Sequence, residues 1–537
     1  MSDEKSTEVA TIARSHPHNA IPHQLLLGAL LVIILATFSY TVAIRRQWFG
    51  VLSMDHHQWL TASTMKFSTY WYHDGAARLG FRMLENPPSV EFPTIESRGM
   101  YASYPPGTIL PIYAISKITR QEPNAPMIMA YNLANQLLIA IVLAFTVYLL
   151  MIRFMHRLHA VLLAAIPPLF VLLLPAPLYW FQNVYFSDQA IILPFALLLL
   201  TEVLQDVELS AKQRRWVMLA QALILFFGFF TDWLFVFIGV VVYAKRLIVG
   251  QIPLRWPVFF ARSLTFWVGP LLALGLFSWQ LTAFHAWGAL LGKYLERSGT
   301  NEIGKKYVEH FFAQFWQGHV GHGYGAPAIY LLGGSLFISC TFIIYVWWAK
   351  NLPAPQRKAA IALLSIISIC ILPCFIEIYT LKNHSWVHDF SALKMLIPLS
   401  LVPLVLLPVI CLLPTRLVRF RNDARQYRFQ PRLLLINIIL LSVALSYTLF
   451  AHQPWRQFFP QPDERFPRVA QSFRGAFSYS DIIVTRRPGL EIPANPPQLL
   501  AFSQKRVYLI TSQQDIDELT KRIRTPFKVI VYEDRKK

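Results

Sequence analysis

The sequence contains few charged residues. Only 15% of its 537 residues are Asp, Glu, Lys or Arg, whereas about 25% are charged in a typical soluble domain. Hydrophobic residues make up 55% of the chain, and its mean hydropathy is +0.42. This composition excludes a disordered chain, a fibrous chain and an ordinary soluble enzyme.

Cysteine is scarce as well. Cys340, Cys370, Cys374 and Cys411 all lie inside apolar runs, so no structural disulfide is expected. A cleavable signal peptide is also lacking, because the first apolar run begins near Leu25 and is too long for the apolar part of one. We expect this run to remain as a membrane anchor, and we find neither an internal repeat nor a low-complexity segment.

Apolar runs near 20 residues recur along the whole chain, and about 20 residues are needed to cross a bilayer. They predict an α-helical polytopic membrane protein with about eleven spans. The spans are 24–44, 127–151, 159–177, 187–205, 215–230, 232–248, 260–284, 326–348, 359–380, 393–414 and 433–450. The stretch 216–249 is divided at Thr231-Asp232, because a charge in the middle of a membrane is costly.

The formal charge of +20 could suggest nucleic-acid binding, but the positions of the cations argue against it. Lys and Arg lie in short segments between the apolar runs, where sixteen of them occupy alternate loops, beginning at Arg153, Lys212, Lys245, Lys350 and Arg416. The short loops on the other side hold only Lys382. The positive-inside rule therefore predicts a cytoplasmic N-terminus and a C-terminus on the outer side of the membrane.

This topology predicts three regions: a cytoplasmic tail over 1–23, a transmembrane domain over 24–450, which the resemblance described below implies to be catalytic, and an outer α/β domain over 451–537. The last has strand-like segments at 482–485, 506–510 and 528–532, and a helix over 512–524 that a capping box at Ser512 and Asp515 begins. Arg45 and Arg46 lie on the outer side, where we expect them either to reach lipid headgroups or to bind a phosphate.

The first outer loop, 45–125, carries the most informative motifs. Met54-Asp55-His56-His57-Gln58-Trp59 follows the first span, and His73-Asp74-Gly75 and Tyr104-Pro105-Pro106-Gly107 come later. Helical spacing between the first two motifs predicts a juxtamembrane helix in the membrane interface. Asp55 is either a general base at the membrane surface or the N-cap of this helix.

The chain resembles the GT-C fold glycosyltransferases, because these enzymes also have an acidic residue in the first outer loop, directly after the first of many spans. The long first loop and the C-terminal appendage add to this likeness, which is nearest in style to the aminoarabinose and mannosyl transferases that use polyprenyl-phosphate sugars. The resemblance covers about the first 400 residues, and only Asp55 matches a family position. It implies a GT-C-like fold and an inverting transfer in which Asp55 is the general base.

The leaving lipid phosphate would then need cations at the outer surface. The candidates are Lys293, Arg297, Lys305, Lys306, Lys382, His384 and His388. His56, His57, His73, Asp74 and Tyr104 are further candidates for substrate binding, and the structural alternatives are snorkelling cations and a turn built by Tyr104-Pro105-Pro106-Gly107. Asp188 either assists Asp55 in catalysis or is an N-cap.

No cofactor is certain from the sequence. His56, His57, His73, Asp74, His384, His388 and Asp389 are residue types that could hold a divalent metal ion, although their spacing is not that of a closed structural site.

We therefore expect an inverting glycosyltransferase that takes a sugar from a polyprenyl-phosphate donor at the periplasmic face of a bacterial inner membrane, with the C-terminus in the periplasm. The acceptor is a lipid, a glycan or an exported protein. The alternatives are a lipid-linked glycan flippase or secondary transporter, which would show paired repeats, and an O-antigen ligase or polymerase.

Overall fold

Long apolar helices dominate the fold. The computed structural model describes residues 23–53, 56–207, 209–302, 305, 309–348, 354–412, 431–459, 473, 480–486, 504–523 and 526–532. Within a membrane only a helix or a closed barrel satisfies every backbone hydrogen bond, which explains why the apolar runs are helical. Asp55, Lys306 and the basic segment 413–430 lie outside the described residues.

The helices follow one another with mostly short connections, and the segment 75–108 is a long exception. They are α1 His23–Arg45, α2 Trp59–Asp74, α3 Ile109–Thr119, α4 Ala125–Met151, α5 Arg157–Ala164, α6 Ile166–Leu173, α7 Pro175–Asn183, α8 Ser187–Ala190, α9 Ile192–Gln205, α10 Ala211–Phe229, α11 Leu234–Ile248, α12 Val258–Ala283, α13 Trp287–Ser298, α14 Gly321–Tyr324, α15 Ala326–Trp348, α16 Ala354–Thr380, α17 Lys382–Val387, α18 Leu396–Leu412 and α19 Pro431–His452. A π-helix covers Ala313–Val320, and 3-10 helices cover Arg46–Trp48, Glu96–Arg98, Pro106–Thr108, Asp389–Met395 and Gln453–Phe458.

The predicted count of eleven spans is not confirmed. In the described residues eight helices are long and apolar enough to cross a membrane, and a ninth span is obtained if α5–α6 and α7, which are bent by 59°, count as one. The other two predicted spans are α10 and α11, of 19 and 15 residues. They are separated at Thr231-Asp232, as predicted, and α11 is shorter than a bilayer requires.

Buried amide side chains of α4 donate to carbonyl groups near the end of α6 and at the far end of α7. Asn132 Nδ2 donates to the carbonyl oxygens of Trp180 and Val184 at 2.9 and 2.8 Å, and Gln136 Nε2 donates to that of Val171 at 2.8 Å. A break in an apolar interior leaves carbonyl groups that need donors. The two buried amides therefore stabilise the broken span.

Arg45 neither reaches lipid nor lies open to a phosphate, so both predicted roles are wrong. The side chain is fully buried, and it donates to the Thr41 carbonyl at 2.9 Å, to Gln136 Oε1 at 3.1 Å and to the Leu178 carbonyl. The guanidinium has five donors, which suits it to link α1, α4 and α7.

The predicted juxtamembrane helix forms as α2, but it is not an interfacial helix. Every residue from Leu60 to Trp71 is buried. Thr61 and Thr64 donate hydrogen bonds of 2.8 Å to the carbonyls of Asn183 and Tyr185, and the helix packs against α3. Its polar residues bind backbone between α7 and α8, which draws α2 into the fold.

The C-terminal α/β unit forms as predicted. Strands β1 Asp481–Thr485, β2 Val507–Leu509 and β3 Lys528–Tyr532 build a parallel sheet in the order β2-β1-β3, and α20 Gln513–Arg522 begins with the capping box at Ser512. The unit contacts the first outer loop: Val90 enters its small apolar core, and Arg522 pairs with Glu91 at 2.9 Å.

Removing the chain after Pro460 should leave the membrane helices folded. The truncated protein keeps Trp455 and Phe459, which pack on Trp48. Among the described residues, it loses contacts with the first outer loop around Val90 and Glu91 and at Asn86 and Glu122. We expect unchanged helical content by circular dichroism and faster proteolysis of residues 85–98. Arg522→Gln is the control, because one surface ion pair contributes only about 0–1 kcal/mol. A truncated protein that fails to insert would contradict this expectation.

Candidate functional site

The fourth outer loop is a short helix that brings two histidines together. α17 covers Lys382–Val387, and the rings of His384 and His388 lie 4.7 Å apart between centroids. Four-residue spacing places side chains on the same side of a helix, so the sequence predicts this pairing. Both rings also contact Phe390.

The first and fourth outer loops meet at Asp389. Its carboxylate oxygens lie 3.4 Å from His56 Nε2 and 3.3 Å from His57 Nε2, and the rings of His57 and His388 lie 5.4 Å apart. We call His56, His57, His384, His388 and Asp389 the histidine cluster. The structure therefore joins four of the predicted substrate-binding residues.

The turn after Asp55 has an unusual backbone. His56 and His57 have φ angles of +41° and +63°, a left-handed region that costs non-glycine residues energy and is concentrated at functional sites. Tyr179 Oη holds the turn by donating to the His56 carbonyl at 2.8 Å, and Trp180 stacks on the His56 ring.

Tyr104 extends the histidine cluster toward α13. Its hydroxyl lies 3.4 Å from His384 Nε2, and the guanidinium of Arg297 lies over its ring at 4.4 Å. Gly107 fixes this position, because its amide donates to the Phe230 carbonyl at 2.6 Å and a Cβ there would lie 2.3 Å from that oxygen. The predicted turn at Tyr104-Pro105-Pro106-Gly107 thus forms and orients Tyr104.

The two histidines of the fourth loop stay neutral at pH 7. Burial lowers the pKa of His388 to about 3, and burial together with the positive charge of Arg297 lowers the pKa of His384 well below its usual value. Burial raises the pKa of Tyr104 well above its usual value, so its hydroxyl keeps its proton. His384 and His388 therefore lack the positive charge that they would need to act as cations beside a leaving phosphate.

Asp188 belongs to a buried charge network behind the histidine cluster. Lys394 Nζ lies 3.1 Å from Asp188, 3.6 Å from Asp232 and 2.6 Å from Glu377, and all four side chains are at most 2% exposed. Asp188 is the second residue of α8, which follows Phe186, so it is not an N-cap. Lys394 is not among the predicted site residues, although a lysine in an apolar run requires an acidic partner.

Two grooves lie near the histidine cluster. The first groove, of about 720 Å³, is mostly apolar; Val236, Phe237 and Leu274 line it beside Lys293 and Arg297. The second groove, of about 550 Å³, is more polar, and its lining includes His56, His319, Asp389 and the three glycines 321, 323 and 325. The second groove therefore reaches the histidine cluster itself, whereas the first groove reaches Arg297 beside Tyr104.

Other predicted site residues lie apart from this cluster. His73 and Asp74 end α2, where they contact Glu122 at 3.0 Å and Arg98 at 2.6 Å. A helix rises about 1.5 Å per residue, so they lie roughly 20 Å along α2 from the turn at His57. Lys305 pairs with Glu302 at 2.8 Å. Lys382 begins α17 half-buried, and no ion pair joins it to another described residue.

The described side chains do not fit a metal ion. No group of three or more His, Cys, Asp or Glu residues among them is arranged as ligands. His56 and His57 instead bind the oxygens of Asp389. The divalent ion remains a prediction from the sequence.

Lys394→Met should destabilise the fold strongly. The substitution leaves Asp188, Asp232 and Glu377 buried without their cation, and breaking a buried pair costs about 3–5 kcal/mol. We expect a large fall in the thermal unfolding temperature in detergent, partly restored by adding Glu377→Gln. Lys305→Met, at an exposed ion pair, is the control. An unchanged unfolding temperature in Lys394→Met would show that the network contributes no stability.

His388 should make stability depend on pH. In the unfolded chain its ordinary pKa is 6.5, whereas in the fold it is about 3, so its contribution is present above about pH 6.5 and is lost as the pH falls toward 3. His388→Asn should reduce the loss of unfolding free energy between about pH 7 and pH 5 by about 2 kcal/mol. His310→Asn, at an exposed histidine, should leave this loss unchanged. Equal pH profiles for the unmodified protein and the two variants would contradict the assignment to His388.

No protein-family model matches the chain, and no curated protein is similar to it. Among solved structures, the apo oligosaccharyltransferase of Archaeoglobus fulgidus is similar, with 12% identity and a TM-score of 0.49 over 90% of this chain and 65% of that protein. This chain therefore spans less than two thirds of that protein's length.

The same archaeal protein, AglB, in complex with an inhibitory peptide and a dolichol-phosphate gives 12% identity and a TM-score of 0.48, over 89% of this chain and 64% of that one. ArnT from Cupriavidus metallidurans bound to undecaprenyl phosphate gives 10% identity and a TM-score of 0.44, over 94% of this chain and 89% of that one. Both are GT-C fold glycosyltransferases, the class that the sequence resembles. At this level the likeness assigns no activity, substrate or residue role to this chain.

Proposed function

We propose that this protein is a glycosyltransferase that moves a sugar from a polyprenyl-phosphate donor to an acceptor hydroxyl at the histidine cluster. The observation that carries the proposal is the first groove, which is apolar along its walls and reaches Arg297 beside Tyr104. An apolar groove with a cationic end suits a lipid that carries a phosphate. The choice of a polyprenyl lipid follows the resemblance of the sequence.

Arg297 is the cation that would stabilise the leaving phosphate. Its guanidinium is held over Tyr104 and can bind two phosphate oxygens at once. Lys293, one turn earlier on α13, lines the same groove and pairs with Glu296 at 2.9 Å. Because His384 and His388 are neutral, we assign them to orienting Tyr104 and the substrate by hydrogen bonds.

Asp55 is the proposed general base, and its described neighbours support this role. Ser53 N donates to Gln58 Oε1 at 2.6 Å, which ties together the chain on either side of Asp55. The left-handed backbone of His56 and His57 follows directly. A turn held in a costly conformation is typical of a residue that must be oriented for chemistry.

The reaction that we propose is a single displacement. The acceptor oxygen bonds to the anomeric carbon, the bond from that carbon to the phosphate oxygen breaks, and its electron pair stays on the phosphate beside Arg297. The proton of the acceptor hydroxyl passes to the Asp55 carboxylate. One displacement inverts the anomeric configuration. The second groove, which reaches the histidine cluster, is the proposed acceptor site.

Asp55→Asn should reduce transfer about 100- to 10,000-fold, the usual contribution of a general base. The purified protein is given undecaprenyl-phosphate-linked pentoses and hexoses with bacterial envelope membranes as the acceptor source, and released undecaprenyl phosphate is measured by mass spectrometry. Glu96→Gln, at an exposed acid of the same loop, is the control. Wild-type turnover by Asp55→Asn would reject the base, and no release by the unmodified protein would reject the transferase.

A further inference from the structure

We propose that a second ligand site, at the opposite end of the helical bundle, binds the phosphate headgroup of an anionic phospholipid. The site is a cavity of about 910 Å³ that contains five cationic side chains in its lining. We call it the basic cavity. The cations are Arg153, Arg214, Lys245, Arg357 and Lys358.

The basic cavity is separate from the histidine cluster. It lies where α4, α9 and α11 end and α16 begins. The other end of α16 carries Glu377 of the buried charge network. α16 has 27 residues, and a helix of that length extends about 40 Å. The two sites therefore lie near opposite surfaces of the membrane, and the basic cavity is at the end that the sequence predicts to face the cytoplasm.

The cations of the basic cavity exceed its acids. Asp206 lies 3.9 Å from Arg153, and the fully buried Glu202 pairs with both Lys245 at 2.8 Å and Arg246 at 2.6 Å. Within the described residues, no carboxylate forms an ion pair with Arg214, Arg357 or Lys358. The cavity thus has a positive charge that its own acids do not balance, and an anion would balance it.

The cavity also has an apolar side. Phe154, Ile248 and Ile361 line it beside the cations, and Ile248 is 76% exposed. A free anion gains nothing from these side chains, whereas a phospholipid places its phosphate among the cations and its acyl chains along the apolar helices. Basic pockets between membrane helices on this side are suited to anionic lipid headgroups.

A general excess of cations on the inner side of a membrane protein does not explain the arrangement. Such cations ordinarily extend outward to lipid and water. Here residues from α10, α11 and α16 converge on one cavity, and the buried carboxylate of Glu202 holds Lys245 inward at 5% exposure. Exposed cations of α10 and α16 therefore line the same cavity as Lys245, whose position Glu202 fixes. This arrangement indicates a binding site.

The test compares two triple variants of the full-length protein in uncharged detergent. Arg214→Gln with Arg357→Gln and Lys358→Gln removes three exposed cations of the cavity. Lys212→Gln with Arg215→Gln and Arg255→Gln removes three exposed cations of the same end that do not line it. Binding of dioleoyl phosphatidylglycerol is measured by native mass spectrometry, with dioleoyl phosphatidylcholine, whose zwitterionic headgroup has no net charge, as the comparison lipid.

We expect the cavity variant to bind the most tightly held phosphatidylglycerol on the order of 100-fold more weakly, since each of the three cations near a lipid headgroup contributes about fivefold. The control variant should change binding less than about twofold. Equal weakening in both variants would show that surface charge alone attracts the lipid. Displacement of the lipid by millimolar inorganic phosphate would identify a free-anion site instead. Either result overturns this proposal and leaves the proposed transferase unaffected.

Discussion

The position of Lys394 determines the geometry of the candidate site. Its ammonium group lies within 3.6 Å of Asp188, Asp232 and Glu377, which belong to α8, to the break between α10 and α11, and to the end of α16. Glu377 and Lys394 also flank α17 in the sequence. A buried charge is stable only with partners, so this contact holds both ends of the segment that carries His384 and His388.

Near this charged network, the candidate site has a positively charged group, Arg297, and two neutral imidazoles, His384 and His388. Arg297 provides positive charge beside the first groove, whereas burial keeps His384 and His388 neutral. A low-dielectric surrounding strengthens electrostatic interactions with any group placed there. Neutral imidazoles next to a charged guanidinium allow a phosphate and a sugar to be held by different side chains, and the two grooves give a lipid and an acceptor separate approaches.

Much of this architecture is predictable because it depends on local sequence. The apolar runs give the helices, the cost of a charge within the membrane gives the break at Asp232, and the four-residue spacing gives the pairing of His384 with His388. What the sequence alone does not predict depends on distant partners. Arg45 is buried because it bonds to residues 91 and 133 positions away, and His73 and Asp74 find Glu122 and Arg98 far from the cluster. Lys394 could have been found from its place in an apolar run, but its three acids could not.

The most direct test of the account is an electron cryo-microscopy structure of the protein in lipid nanodiscs with undecaprenyl phosphate. We predict that the lipid chain lies along Val236, Phe237 and Leu274 and that its phosphate contacts Arg297 within hydrogen-bonding distance, with the histidine cluster adjacent. A phosphate bound elsewhere, with the first groove filled only by bulk lipid, would contradict the proposed donor site and with it the transferase.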